Sequence, residues 1–301
     1  MKYIVTGGAG FIGSRIAKLL VKYGDSVTVI DNLHTGKIEN LAEIHSKIDF
    51  IKADIRNFED MEKNIIDCDG IFHEAALTLV QESFTKKKEY NEVNVIGTEN
   101  IFKIAQKKNI KVVFASSSSV YGNVNEIPIS ESSIKKPINP YGITKLDDEK
   151  LAEKFVKKNL QVIGLRYFNV YGIGQTGSYA GVITKFINRL KENKNLVING
   201  DGNQIRDFIF VDDVARANIK AMKSNVKEGF FNIGTNIGTS INDLANMLIE
   251  ISQQKINSIH SEQLEGDIKF SQADTKLTKK ILEWEFQTHL KQGLEKIYPN
   301  F

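Results

Sequence analysis

The first half of the chain alternates short β-branched and aromatic runs with longer stretches whose apolar positions recur every three or four residues. The short runs predict strands over Tyr3–Thr6, Ser26–Ile30, Ile48–Lys52, Gly70–His73, Lys111–Ala115 and Gln161–Leu165. Between the first two, Ile12, Ile16, Leu19, Leu20 and Tyr23 share a helical face. This alternation predicts an α/β fold, a doubly wound parallel sheet with its ligand cleft at the carboxyl ends of the strands. Past about residue 166 the rhythm loosens, and glycine turns at 171–174 and 199–203 separate shorter elements. The expected organisation is a dinucleotide-binding unit over 1–165 with roughly 206–229. A smaller, interleaved α/β substrate unit would take 166–205 and 230–301.

Charge narrows the choice of partners. The 40 basic and 37 acidic side chains are spread along the sequence, so the net +3 forms no footprint for nucleic acid or an anionic membrane. Runs such as Lys86-Lys87-Lys88 sit among acids and read as solvated helix faces. No apolar run approaches the roughly 18 residues of a membrane span. Cys68 stands alone, which excludes an intrachain disulfide and a cysteine-cluster metal site. His34, His45, His73, His260 and His289 show no ligand spacing, so no metal site is expected. Met1-Lys2 runs straight into the first strand with no leader pattern, and the expected location is cytoplasmic.

Gly7-Gly8-Ala9-Gly10-Phe11-Ile12-Gly13 follows the first strand and opens the first helix. It satisfies both G-x-G-x-x-G and G-x-x-G-x-x-G. Glycine there allows a sharp turn and close approach of a diphosphate, with the helix N-terminus facing the phosphates. A purely structural glycine turn is the competing reading. Asp31, 18 residues past Gly13 at the end of the second strand, tips the balance. A carboxylate there accepts from ribose hydroxyls and repels a 2′-phosphate, which favours NAD over NADP. Asp31-Asn32 is also good turn chemistry. Asp54-Ile55 after the third strand either faces the adenine or caps the next helix.

Tyr141 and Lys145 lie four apart on a helix predicted over about 141–158, so they share a face. Such a pair alone is common and usually structural. Here Ser116-Ser117-Ser118-Ser119 directly follows the fifth strand and puts hydroxyls at the same sheet edge. A free phenol ionises near pH 10, and a tyrosine base at neutral pH needs ~4 kcal/mol of help. An ammonium ~4 Å away at an effective dielectric of ~20 supplies about that much. Tyr141 can then take a hydroxyl proton while NAD takes hydride from the same carbon, with a serine holding the oxygen.

In these residues the chain resembles the extended short-chain dehydrogenases/reductases, and within them the nucleotide-sugar 4-epimerases. The resemblance spans essentially the whole sequence. It includes the glycine turn, Asp31-Asn32-Leu33, His73-Glu74-Ala75-Ala76, Asn94 to Thr98, Ser116 to Gly122, Tyr141/Lys145, Arg166 to Gly172, Gly200-Asp201-Gly202, Arg206-Asp207-Phe208, Asn232-Ile233-Gly234 and Gly266-Asp267. It implies a Rossmann NAD site that includes Gly7, Gly10, Phe11, Ile12, Gly13, Asp31, Asn32, Asp54, Ile55, Ala75, Ala76, Asn94, Tyr141 and Lys145. It implies Tyr141 as base, Lys145 as tuner and ribose anchor, and Ser117 as the catalytic hydroxyl. Ser83, Ser118, Ser119, Asn169, Arg206, Asp267 and Ser271 would bind a UDP-sugar. NAD would stay bound, take hydride from C4, and return it to the other face of a rotated 4-keto sugar. The resemblance further implies a homodimer formed through helices at roughly 84–107 and 141–158.

Details within the motifs narrow the branch. Related 4,6-dehydratases carry an Asp-Glu pair where this chain has Ser118-Ser119, and related decarboxylases carry Glu at 119. Both chemistries are therefore disfavoured against epimerisation, while an NAD-dependent dehydratase, decarboxylase or reductase of the same fold and a non-catalytic NAD-sensing scaffold stay as alternatives. Ser271 stands where a bulky tyrosine restricts relatives to simple hexoses, so UDP-N-acetylhexosamines are expected alongside UDP-glucose and UDP-galactose. Leu264 stands where relatives have a diphosphate-binding arginine, a departure that leaves the preferred sugar open. Trp284 and Phe286 are expected to pack the small unit, and Asp212-Asp213 to cap a helix.

Overall fold

The computed structural model describes residues 1–124, 126–175, 181–263 and 268–300. All six predicted runs become strands: β1 (Lys2–Thr6), β2 (Ser26–Asp31), β3 (Ile48–Lys52), β4 (Gly70–His73), β5 (Lys111–Ser117) and β6 (Val162–Tyr167). Short strands follow as β7 (Asn169–Tyr171), β8 (Leu196–Asn199), β9 (Ile205–Arg206) and β10 (Phe208–Phe210). The last are β11 (Glu228–Ile233), β12 (Thr239–Ser240), β13 (Ser258–Ser261) and β14 (Phe270–Ser271). A seven-stranded sheet runs β11-β6-β5-β4-β1-β2-β3, each neighbouring pair parallel. The order reverses beside β1, which opens a crevice between the carboxyl ends of β1 and β4.

Helices cover both faces, which is why Ile4, Val5, Ile71, Phe72, Val112 and Val113 are all buried and the strands read as continuous apolar runs. On one face lie α1 (Phe11–Lys22) and, later in the chain, the helix at Val211–Lys223. On the other lie α2 (Phe58–Asn64), then α3 (Val80–Thr85) and α4 (Lys87–Tyr90), then α5 (Gly97–Lys108) and α6 (Pro140–Val156). Asn139 starts α6 by accepting from the Gly142 N–H at 2.8 Å, with Pro140 in the first turn. Beyond the sheet, α7 (Val182–Lys191) leads to α8 (Val211–Lys223). A further core at Phe186, Ile187, Leu190, Leu244, Leu248 and Leu294 joins α7 to α9 (Ile241–Ser252) and, beyond α10 (Lys276–Leu282), to α11 (Leu290–Ile297).

Several expectations need correction. The helix expected over 84–107 begins at Lys87, after non-helical Lys86 ends α3, and runs through α4, a π-helical stretch at Asn91–Ile96 and α5 to Lys108. Phe210, not Asp212 or Asp213, caps α8. Asp213 is instead fully buried and accepts from the Gln287 and Thr288 N–H groups. This ties the segment after α10 to the large core, so Trp284 packs there rather than in the smaller unit, its indole N–H donating to the Asp213 carbonyl at 3.2 Å.

Candidate active site

The crevice holds a cavity of about 450 Å³ lined from β1, β2, β4, β5, α6 and the turn after β6. Gly7 takes a φ of +66°, and a Cβ on it would stand 2.6 Å from the Ala75 backbone nitrogen, so the turns after β1 and β4 touch only because Gly7 has no side chain. Gly10, Phe11, Ile12 and Gly13 line the wall where α1 begins. The first-turn N–H groups have no helical partner, and no acid in that turn competes for them. Asp31 ends β2 and accepts from Ala9 N at 3.0 Å and Leu33 N at 2.8 Å. Burial raises its carboxyl above the ordinary range against those two bonds. Asn32 reaches Asp54 at 3.0 Å, and Arg56 pairs with Asp54 at 2.7 Å and pulls it down to about 2. Asn57, not Asp54, caps α2, which leaves Asp54 and Ile55 on the cavity wall. The glycines, open N–H groups and buried acid together fit a dinucleotide.

Ser117, Ser118 and Ser119, from the end of β5, face the same cavity as Tyr141 and Lys145 of α6, with Ala75, Ala76 and Asn169. Ser117 Oγ accepts from the Ser119 N–H at 3.1 Å. Behind it, Ser116 donates to Glu149 at 2.7 Å, and Glu149 grips Arg166 through two bonds at 2.7 and 2.8 Å, fixing β5, β6 and α6 together. Lys145 is buried. Burial alone would lower its ammonium, but Asp148 at 3.1 Å, with Tyr141 and Glu74, holds it above its ordinary value. Glu74, a carboxyl on the wall, receives the Tyr167 hydroxyl at 2.9 Å and is pushed up to about 8 by burial.

Other expected site residues lie elsewhere. Ser83 is fully buried away from the cavity, and its hydroxyl accepts from the Tyr141 N–H at 3.2 Å while donating to the Val80 carbonyl. Asn94 is also off the wall. It clamps both backbone groups of Leu77 and donates to Thr144, holding the turn after β4 against α6. Arg206 and Ser271 are buried partners in the β9–β14 register, off the main wall. Asp267 and Leu264 fall outside the described residues. Glu74, Tyr167, Phe168 and Gln175 line the cavity and were not expected as site residues. The position of Glu74 just past a strand's carboxyl end was the available signal.

The model of the NAD dependent epimerase/dehydratase family matches residues 3–234. The chain belongs to that family. Among its solved members, UDP-glucose 4-epimerase of Thermotoga maritima, with UDP-glucose, is similar at 36% identity and a TM-score of 0.95, over 99% of this chain and 98% of that one. UDP-N-acetylglucosamine 4-epimerase of Methanobrevibacter ruminantium, in complex with UDP-N-acetylmuramic acid, shares 35% identity and a TM-score of 0.94 over 99% and 97%. The UDP-N-acetyl-alpha-D-glucosaminuronate decarboxylase of Bacillus cytotoxicus is 36% identical over 264 residues, 85% of this chain and 82% of that protein. Family membership makes this an NAD-dependent enzyme of the short-chain dehydrogenase/reductase type. Tyr141, Lys145 and Ser117 lie on one wall of the cavity.

Proposed function

We propose that the chain is a UDP-sugar 4-epimerase that interconverts UDP-glucose with UDP-galactose and also accepts UDP-N-acetylhexosamines. The observation that carries this reading is the wall itself. Tyr141, Lys145 and Ser117 share it with Ser118 and Ser119, where a dehydratase or decarboxylase of this family would place carboxylates. Tyr141 removes the proton of the C4 hydroxyl, Ser117 holds that oxygen, and Lys145 stabilises the phenolate. Bound NAD would accept the C4 hydride and give it back to the opposite face of the resulting ketone. Asn169, Ser118 and Ser119 would hold the sugar as it turns, and Tyr141 returns the proton to the inverted alcohol. Arg206, Ser271 and Asp267 are assigned to the nucleotide-sugar side by their place in the motifs. Exposed Ile96 and Ile143, beside α5 and on α6, support a homodimer through those segments. The single, half-buried cysteine fits a reducing, cytoplasmic setting.

Incubation of the purified protein with UDP-glucose and UDP-N-acetylglucosamine, with products resolved by chromatography and mass, tests the proposal. The expected products are UDP-galactose and UDP-N-acetylgalactosamine at unchanged mass, with no net NADH. A product lighter by water or carbon dioxide, or no conversion, would overturn it.

A further inference from the structure

Beneath the reacting residues lies a carboxyl with no part in the chemistry above. Asp148 is fully buried on α6, and its Oδ2 accepts from Lys145 Nζ at 3.1 Å. Its other oxygen, Oδ1, has no hydrogen-bond partner. An orphaned carboxyl oxygen in a closed interior is costly, as is a buried ammonium. Each tolerates the other's charge. Lys145 thus meets the cavity on one side and the Asp148 carboxyl on the other.

The surroundings leave Asp148 as that counter-ion. On α6 itself Tyr141 faces Lys145, and Asp147 is turned to Lys150 at 2.8 Å. From α5 the Thr98 hydroxyl stands beside Asp148 and also meets His73 Nε2 at 2.9 Å. His73 of β4 is buried between Thr98 and Thr6, and burial, aided by Lys145, drives its imidazole down to about 3, so it carries no charge at neutral pH. After β4, Glu74 also faces Lys145, but its carboxyl is held by the Tyr167 hydroxyl. Among the described residues, Asp148 is the carboxyl in direct contact with the ammonium.

We propose that Asp148 is a positioning residue for the Tyr141–Lys145 pair: it keeps the Lys145 ammonium charged and in place, and so sets the pH window in which Tyr141 takes and returns the sugar's proton. The step rests on the epimerase reading and adds no atom to it. Without the Asp148 carboxylate, burial lowers the Lys145 ammonium, and Tyr141 loses the neighbouring charge that favours its phenolate.

The test is Asp148→Asn, which keeps an acceptor oxygen and removes the charge. Two titrations are read. One is the near-ultraviolet phenolate absorbance of the NAD-loaded protein, taken as the difference from the matching Tyr141→Phe protein, with no sugar present. The other is kcat against pH with UDP-glucose. Both are expected to move to higher pH by about one unit, with KM nearly unchanged. Profiles that stay in place or move to lower pH overturn the proposal, whether or not kcat falls, because a packing defect lowers kcat without moving its limbs. Should the asparagine variant not fold, Asp148→Ser is read the same way. A shifted phenolate titration in a protein that converts no UDP-sugar would sink the epimerase reading alone.

Discussion

The Tyr167 hydroxyl donates to the Glu74 carboxyl across 2.9 Å, and Asn218 donates in turn to that hydroxyl at 2.7 Å. This chain of bonds holds a carboxyl on the wall of the active cavity, where burial pushes it up to about 8. A carboxyl in the unfolded chain ionises near pH 4.3. Folding therefore takes up a proton between those values. The stability this group contributes is complete below about pH 4 and is lost as the pH rises to about 8. Glu74→Gln removes that dependence. We expect the melting temperature of the parent to fall more steeply than that of the variant between about pH 5 and 8. The variant keeps some slope of the same sign, because burial also raises Asp148 and Asp207. Equal slopes in the two proteins would remove Glu74 from this account.

Tyr141→Phe keeps the ring and deletes the hydroxyl proposed to exchange a proton with the sugar. The contacts that seat this position run through its backbone: the N–H donates to Ser83 and the carbonyl accepts from Thr144. The fold and the dinucleotide cradle should survive. We expect kcat to fall by about 10²–10⁴-fold, with NAD content unchanged when it is released by denaturation and assayed. Near-normal turnover would mean another group takes the proton.

Gly7→Ala tests the junction of the turns after β1 and β4. The new Cβ would lie 2.6 Å from the Ala75 nitrogen, in a left-handed conformation at φ +66°. The conformation alone costs about 1–2 kcal/mol, and the clash adds to it by moving one turn off the other. We expect a loss of at least about 2 kcal/mol in denaturant unfolding and protein purified without NAD. Gly24→Ala is the control: its φ is +81° but nothing lies within 4 Å of the added carbon. That variant should pay only the conformational cost and keep its NAD.

These contrasts show which features could be read from sequence. Strands β1 to β6 were legible because a parallel sheet covered on both faces leaves uninterrupted apolar runs such as Ile71-Phe72 and Val112-Val113-Phe114. The glycine turn, Asp31 and the Tyr141/Lys145 pair were legible because each obeys short-range geometry. What escaped depends on contacts distant in sequence. Glu74 meets Tyr167 across 93 positions, and Trp284 meets Asp213 across 71. No local pattern carries either. Ser83 and Asn94 were polar residues near the right place, but their hydrogen bonds go to backbone that positions the site. The helix expected over 84–107 contains a π-helical turn that brings Asn94 inward, and apolar spacing does not announce it.

Substrate size gives the last prediction. Ser271 is 4% exposed on β14, paired in register with Arg206 of β9, so a larger side chain there cannot swing out to solvent without disturbing that pairing. If Ser271 leaves room beside C2 of the sugar, Ser271→Tyr fills the space an N-acetyl group needs and leaves a simple hexose accommodated. We expect kcat/KM for UDP-N-acetylglucosamine to drop by about 10–100-fold, with UDP-glucose changing by less than about threefold. Each ratio is read from initial rates of epimerisation on the same preparation. Equal loss on both substrates would show that the tyrosine has disturbed the β9–β14 pairing rather than the space beside C2.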